Sequence, residues 1–309
     1  MKPRIKIYFS FYNVNIFTNN NMIRNKPVVG ILATPYIENN ISNEIFLKEN
    51  IITFLMQNSL DHIIIPYSIT KLELNKILPN LDGLLFPGSQ RGNLYTNKFI
   101  KQHFLIQKYI VKQIKLLAKN NNTIIPILAI CHGYENMLLI EKNYNLTNKN
   151  IKKILSNVHS YSDYKTIPKF TNSNLGKLFK KNFNKTRKLV HNNALALVLS
   201  QKNKIKNYEI IATSLDKNNK EFVTIVKDKK YPIFGFQGHP EIGNTKLFTP
   251  FINSVYENFN NKQLIIELKQ NNKKYNTFKF LKLKSRKVSC KKYELAQTTK
   301  YGKCIFYKI

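Results

Sequence analysis

The chain has 309 residues, 43% of them hydrophobic, which suffices for one large buried core and argues against global disorder. Its formal net charge is +33, from 50 Lys and Arg against 17 Asp and Glu, an excess that draws nucleic acid and other polyanions at low salt. Three cysteines (Cys131, Cys290 and Cys304) are too few for a disulfide framework, and no apolar run is long enough for a membrane-spanning helix.

The charge has a plain compositional reading. Lysines are dispersed, arginine is scarce, and the chain is crowded with Lys, Asn, Ile, Tyr and Phe, the residues an A/T-rich genome over-supplies. Compositional drift is therefore preferred over a dedicated nucleic-acid site. Residues 1–25 read as an N-terminal extension. It starts basic and turns partly apolar, but Ser10, Asn13 and Asn15 interrupt it and no small-residue cleavage site follows. That favours a cytoplasmic location over the secretory route.

From Pro27 to about Asn258, strand and helix signals alternate. "PVVGILA" reads as a buried strand, Glu44–Leu60 as a helix, and "HIIIPY" as a second strand. "ITKLELNKILPNL" follows as a short helix, then "DGLLFPG" as a third strand. A long helix is expected from about Asn97 to Asn120, with Ile106, Ile110, Ile114 and Leu117 on one stripe. "IIPILAI" is the next strand and "YENMLLIEK" the helix after it. Such an order implies an α/β fold with a mainly parallel sheet sandwiched by helices. Functional residues should then gather at the carboxyl ends of the strands. Residues 143–186 are polar, asparagine-rich and weakly periodic, and read as an irregular insertion or lid. Strand signals return in "KLVH", "YEIIATSL", "EFVTIVKD" and "IFGFQGH", and a last helix covers "KLFTPFINSVYENF". The domain so outlined spans residues 26–260. From 261 to 309 a basic extension is expected, in which "FKFLKLK" and "KCIFYKI" alternate as half-buried strands do.

Within "IIPILAICHGYENM", Cys131 stands where a buried strand turns sharply into a helix, with Gly133 allowing the turn to tighten. That is the pattern of a nucleophile elbow, at a helix N-terminus that favours a thiolate. A buried core cysteine fits this stretch equally well. A nucleophilic cysteine needs a base and a group to hold that base. His239 closes an apolar strand in "IFGFQGHPEIG", and Glu241 follows it across a proline. Taken alone, the H-x-E pair reads as a strand-end histidine beside a surface glutamate.

Together the pieces are more specific. "ICHGYE" and "FGFQGHPE" resemble the cysteine elbow and histidine–glutamate segment of the class I glutamine amidotransferase-like superfamily. Within it, "KPVVGILATP", "LDGLLFPGS" and "EFVTIVKDKKYPIFGFQGHPE" are similar to the γ-glutamyl hydrolase family, over roughly residues 26–258. The resemblance implies a flavodoxin-like three-layer architecture. It also implies a hydrolase that cleaves γ-glutamyl amide bonds, such as those of folyl poly-γ-glutamates or small γ-glutamyl conjugates, through a thioester. Carried over, Cys131 is the nucleophile, His239 the acid and base, and Glu241 the residue orienting His239. Backbone N–H groups of Gly88, Ser89 and His132 form the oxyanion hole. His191 and Glu135 line the substrate side, although a structural or solvent-facing role suits His191 as well. No metal or organic cofactor is implied.

Expected partners are a γ-glutamyl substrate, weak polyanion or nucleic-acid contacts through the basic surface, and a second copy in a homodimer. Two other readings stand beside this one. The first is a glutaminase subunit working with a separate synthetase, and the second is a non-catalytic basic binding or packaging protein on the same fold. The chain departs from the family pattern at Ala129, where glycine is common, and at Ser89, which replaces the second glycine of a pair. Gly238 stands where an aromatic residue normally precedes the catalytic histidine, which is expected to open space beside His239.

Overall fold

The strand Val28–Leu32 (β1) is apolar along its length because both of its faces are covered. In the computed structural model, which describes residues 24–38, 41–89, 95, 97–121, 124–272 and 304–308, Val28 and Leu32 enter one core cluster while Val29 and Ile31 enter another. The next two strands, Thr34–Glu38 (β2) and Ile41–Lys48 (β3), form an antiparallel hairpin. Helix Glu49–Gln57 (α1) and strand Asp61–Ile65 (β4) follow. Helix Lys71–Ile77 (α2) starts in a reciprocal cap: the Glu73 N–H donates to Thr70 Oγ1 (3.2 Å), and the Thr70 N–H donates back to the Glu73 carboxylate (2.9 Å). Strand Gly83–Phe86 (β5), helix Lys98–Asn121 (α3), strand Ile127–Ile130 (β6) and helix His132–Glu141 (α4) continue the alternation.

Then come helix Asn148–Ile154 (α5), strands Ser156–Thr166 (β7) and Lys169–Phe170 (β8), and helix Asn174–Asn182 (α6). Strands Leu189–Ala196 (β9), Tyr208–Leu215 (β10), Glu221–Asp228 (β11) and Ile233–Phe236 (β12) lead into helix Thr249–Asn272 (α7). Cys304–Lys308 (β13) is the last described strand.

Eight strands make the central sheet, in the order β4-β1-β5-β6-β12-β11-β10-β8. The first five are mutually parallel and the last three antiparallel. The alternation seen in β1 recurs in β5, where Leu84 and Phe86 face one way and Leu85 the other, and in β6, where Ile127 and Ala129 oppose Leu128 and Ile130. One face is covered by α2, α3, α4 and α5, through residues such as Leu74, Ile110, Met137 and Ile151. The other is covered by α1, α6 and α7, through Phe54, Phe179, Phe251 and Val255. This is the expected mainly parallel sheet between two helical layers. The α3 stripe packs as its spacing predicts, with Ile106, Ile110 and Ile114 buried and Leu117 against them.

Two expectations need correction. Residues 44–48 belong to strand β3, not to a helix, which begins only at Glu49. A strand there has backbone partners on both sides, because β3 lies between β2 and β13. The segment 143–186 is not an irregular lid: it supplies α5, β7, β8 and α6. Its periodicity is hidden because two of the three buried positions of β7, Ser160 and Thr166, are polar, and because its partner β9 is distant in sequence.

At the edge of the sheet opposite the site, Asp82 is fully buried. It accepts from the Val28 N–H (2.8 Å) and from Arg24 Nη2 (3.0 Å), with Arg24 Nη1 in ion-pair range at 2.9 Å and the Lys262 ammonium 3.5 Å away. Lys262 also donates to the carbonyl of Pro79 (3.0 Å), so α7 runs through the composition shift at that residue without a break. Most of the expected N-terminal extension and most of the basic tail, Cys290 included, lie outside the described residues. Of the two tail segments with strand-like alternation, "KCIFYKI" is represented by β13, which pairs antiparallel with β3.

Candidate active site

The loops that leave β5, β6 and β12 meet at the carboxyl edge of the sheet. Gly88 marks the meeting point: a Cβ there would lie 3.3 Å from Cys131 Cβ and 3.2 Å from His239 Cε1. Cys131 has φ 51° and ψ −114°, a positive φ that a non-glycine residue adopts only when its surroundings impose it. Its N–H donates to the Phe236 carbonyl (2.6 Å), which ties the end of β6 to the end of β12, and α4 starts at the next residue. Gly133 permits this turn, because a Cβ at that position would stand 2.3 Å from the Phe86 carbonyl oxygen. That neighbour is backbone and cannot swing away. Gly133→Ala is expected to cost about 3 kcal/mol or more, read as a lower midpoint of denaturant unfolding. An unchanged midpoint would contradict the contact.

His239 and Glu241 are both nearly fully buried, and His239 Nδ1 lies 2.8 Å from Glu241 Oε1. The backbone N–H of His239 donates to the Val190 carbonyl (2.8 Å), so β9 holds the histidine from the side. Burial pushes Glu241 up, but the charges of His239 and Lys48 and the hydrogen bond from His239 outweigh it and hold the carboxyl at about 2. An ionised Glu241 makes Nδ1 of His239 the protonated nitrogen. Burial, and after it Lys48, pushes His239 down from its ordinary value, against the pull of Glu241 and Asp163.

The thiol of Cys131 does not follow the expectation of a helix terminus that favours thiolate. Burial pushes it well up, with Glu135 and Glu241 adding to the effect, while Lys48 and the His132 N–H oppose them. Desolvation of a small anion in a closed site outweighs the partial charge of a helix end.

Glu135 is buried one turn into α4. Gln237 Nε2 donates to its Oε1 (2.9 Å), Tyr95 donates to its Oε2, and His132 Nδ1 lies 3.8 Å from Oε2. The carboxylate is thus held beside Cys131 by side chains from three other positions. His191, on β9, is fully buried, with Nε2 2.9 Å from Thr166 Oγ1 and its ring edge-on to Phe222 at 5.2 Å. The solvent-facing reading of His191 is excluded by this burial. Gly238 does not open space beside His239. A Cβ there would stand 2.8 Å from Leu189 Cγ and 3.0 Å from His191 Cε1, so these two side chains already fill the room an aromatic residue would take. Among the described residues, no cluster of three or more His, Cys, Asp or Glu is arranged to hold a metal ion, and no helix is long and apolar enough to cross a membrane.

These buried groups make a prediction about acid stability. His103 and His191 are each held down to about 3, first by burial and then by a neighbouring histidine. A histidine whose folded value lies below its unfolded one contributes stability that is complete above about pH 6.5 and is lost as pH falls toward the folded value. Each should remove about 1.4 kcal/mol per pH unit across that window. Glu241 adds a loss of the same sign below its ordinary carboxyl range. Unfolding free energy measured from pH 7 to pH 4 should therefore fall steeply, and His103→Gln should flatten the slope.

The model of one family, Peptidase C26, matches residues 27–241, more than half of the chain and the whole span from β1 to Glu241. The chain belongs to the Peptidase C26 family. Gamma-glutamyl hydrolase B of Dictyostelium discoideum is 24% identical over 254 residues, covering 77% of this chain and 70% of that protein. Gamma-glutamyl hydrolase 1 of Arabidopsis thaliana is 28% identical over 236 residues, covering 70% of this chain and 63% of that protein. Among solved structures, a GMP synthase component from Thermoplasma acidophilum is similar with a TM-score of 0.48 at 16% identity, over 81% of this chain and 100% of that one. PurLQS from Thermotoga maritima gives a TM-score of 0.43 at 16% identity, over 74% of this chain and 98% of that chain.

In this Peptidase C26 chain three contacts around the site escaped sequence reasoning. Gln237 stands inside "FGFQGHPE", so its place beside Glu135 had a sequence signal. Tyr95 had none, because it reaches Glu135 from a different loop. Lys48 was hidden by its assignment to a helix, and its ammonium lies 3.4 Å from Glu241 Oε1.

Proposed function

We propose that this Peptidase C26 chain hydrolyses γ-glutamyl amide bonds, with Cys131 as nucleophile, His239 as acid and base, and Glu241 as the residue that orients His239. The observation that carries the reading is the meeting of the strained Cys131 elbow and the His239–Glu241 pair on either side of Gly88. The thiol is protonated at rest, and His239, neutral with its Nδ1 proton given to Glu241, presents Nε2 as the acceptor. As the sulfur attacks the γ-carbonyl carbon, its proton passes to Nε2 and the carbonyl oxygen takes the negative charge. Backbone N–H groups of Gly88, Ser89 and His132 receive that oxygen, since fixed dipoles need no reorganisation as the charge develops. The imidazolium then protonates the leaving amine, and a γ-glutamyl thioester remains. Water, deprotonated by His239, cleaves the thioester and returns the thiol.

Glu135, held in place by Gln237 and Tyr95, acts on the substrate side as an acceptor for the amino group of the glutamyl unit. His191, fully buried on β9, lies close enough to His239 to feel its charge. The substrate class is folyl poly-γ-glutamate or a smaller γ-glutamyl conjugate, and the chain's strong positive charge would speed the approach of a polyanionic glutamate chain. Incubation with folyl-pentaglutamate and, separately, with glutamine, followed by mass analysis of products, tests the reading. Shortened folyl glutamates without ammonia release from glutamine are expected. Ammonia from glutamine with an intact pentaglutamate would overturn it in favour of a glutaminase.

A further inference from the structure

The junction between β3 and α1 grips the His239–Glu241 turn at two points. Lys48, the last residue of the strand, places its ammonium 3.4 Å from Glu241 Oε1 and 3.2 Å from His239 Nδ1. Two residues on, Asn50 Nδ2 donates to the Glu241 backbone carbonyl (3.3 Å). Because Nδ1 of His239 gives its proton to Glu241, the lysine cannot bond that nitrogen. Both donors therefore converge on the same carboxylate oxygen, Oε1, while Oε2 is buried with no hydrogen-bond partner. The backbone that carries the lysine is held in place. Leu47, its neighbour, is fully buried in the core, and the Lys48 backbone pairs opposite Cys304 of β13. Its side chain is 22% exposed, which leaves the ammonium in a poorly screened setting beside a buried carboxylate.

We propose that Lys48 is a positioning residue for the hydrolysis, a fixed cation from the β3–α1 junction that anchors Glu241 beside His239. The proposal rests on the reading of Cys131, His239 and Glu241 given above. A cation at this place acts on both partners of the proton transfer. It lowers the cost of negative charge on Cys131 and raises the cost of positive charge on His239. The other charged or titratable groups facing the pair are Glu241 in the same turn, Asp163 from β7, His191 from β9, Glu135 from α4 and Tyr95. Among those for which a charge effect on both Cys131 and His239 is resolved, Glu241 pulls both values up, and Lys48 alone pulls both down. Removing Lys48 should therefore shift both values upward, and the two shifts move the acidic limb of activity in the same direction.

The test uses the full chain as wild type, Lys48→Met, Lys48→Gln and Lys48→Arg. Iodoacetamide alkylation of Cys131 is followed across pH by mass analysis of the peptide that carries it. In parallel, kcat/KM on folyl-pentaglutamate is measured across the same range. Both neutral variants are expected to move the alkylation midpoint and the acidic limb of kcat/KM to higher pH by about one unit, and Lys48→Arg to restore most of the shift. Below the limb the loss in kcat/KM should approach ~10-fold in the neutral variants. An unchanged midpoint in a folded neutral variant, or an arginine variant displaced as far as the neutral ones, overturns the proposal. Should the wild type leave folyl-pentaglutamate intact while the alkylation midpoint still shifts, the substrate reading fails and the role of Lys48 stands.

Discussion

Cys131→Ala is expected to lower kcat/KM on a γ-glutamyl substrate by at least ~10³-fold while leaving the thermal unfolding midpoint close to that of the wild type. The residue sits at φ 51° on the elbow, so alanine keeps the β-carbon that the backbone already accommodates and removes only the sulfur. The remaining turnover would come from the backbone donors and from binding. Cys290→Ala and Cys304→Ala should leave turnover near that of the wild type, since both lie in the tail, beyond the span that the family model matches. Steady-state kinetics on the three variants decides the point: wild-type turnover by Cys131→Ala would dismiss the proposed mechanism.

His239→Ala should cost nearly as much as loss of the thiol. Residues that act as one proton-transfer unit fail together, so the variant lacking both Cys131 and His239 should be little worse than either single one. Glu241→Gln should cost less, about 10- to 100-fold. An amide still accepts from Nδ1 through its oxygen, but it gives up the charge that steadies the imidazolium. It also leaves the Lys48 ammonium, 3.4 Å away, without its counter-charge. The pH profile separates these effects. Glu241 pulls His239 upward, so Glu241→Gln should move the acidic limb of kcat/KM to lower pH, opposite in sign to the Lys48 variants. A limb that stays in place would deny Glu241 its part in setting the histidine.

The parallel half of the sheet was legible because its strands are buried on both faces and read as unbroken apolar runs. That is true of "VVGIL", "GLLF" and "ILAI", each buried at every position. The elbow was legible for a related reason: a run that stops at Cys131 and resumes after Gly133 has few ways to turn. The approach of Phe86 to Gly133 shows why that glycine is needed.

What the tertiary structure alone decided lies where partners come from far along the chain. Strand β3 looked helical in isolation and is a strand because β2 and β13 supply its ladders from either side. The 143–186 segment carried no clear period because its buried positions are partly polar and are satisfied by β9 and β10, as Thr166 is by His191 and Ser214. The space at Gly238 was set by Leu189 and His191, and the cation beside the His239–Glu241 pair by Lys48. Both contacts join segments separated by tens to hundreds of residues, and no local pattern encodes them. Residue order alone was enough to place the cysteine, the histidine and the glutamate at strand ends. Their ionisation was settled by burial and by neighbouring charges, which exist only once the chain has folded.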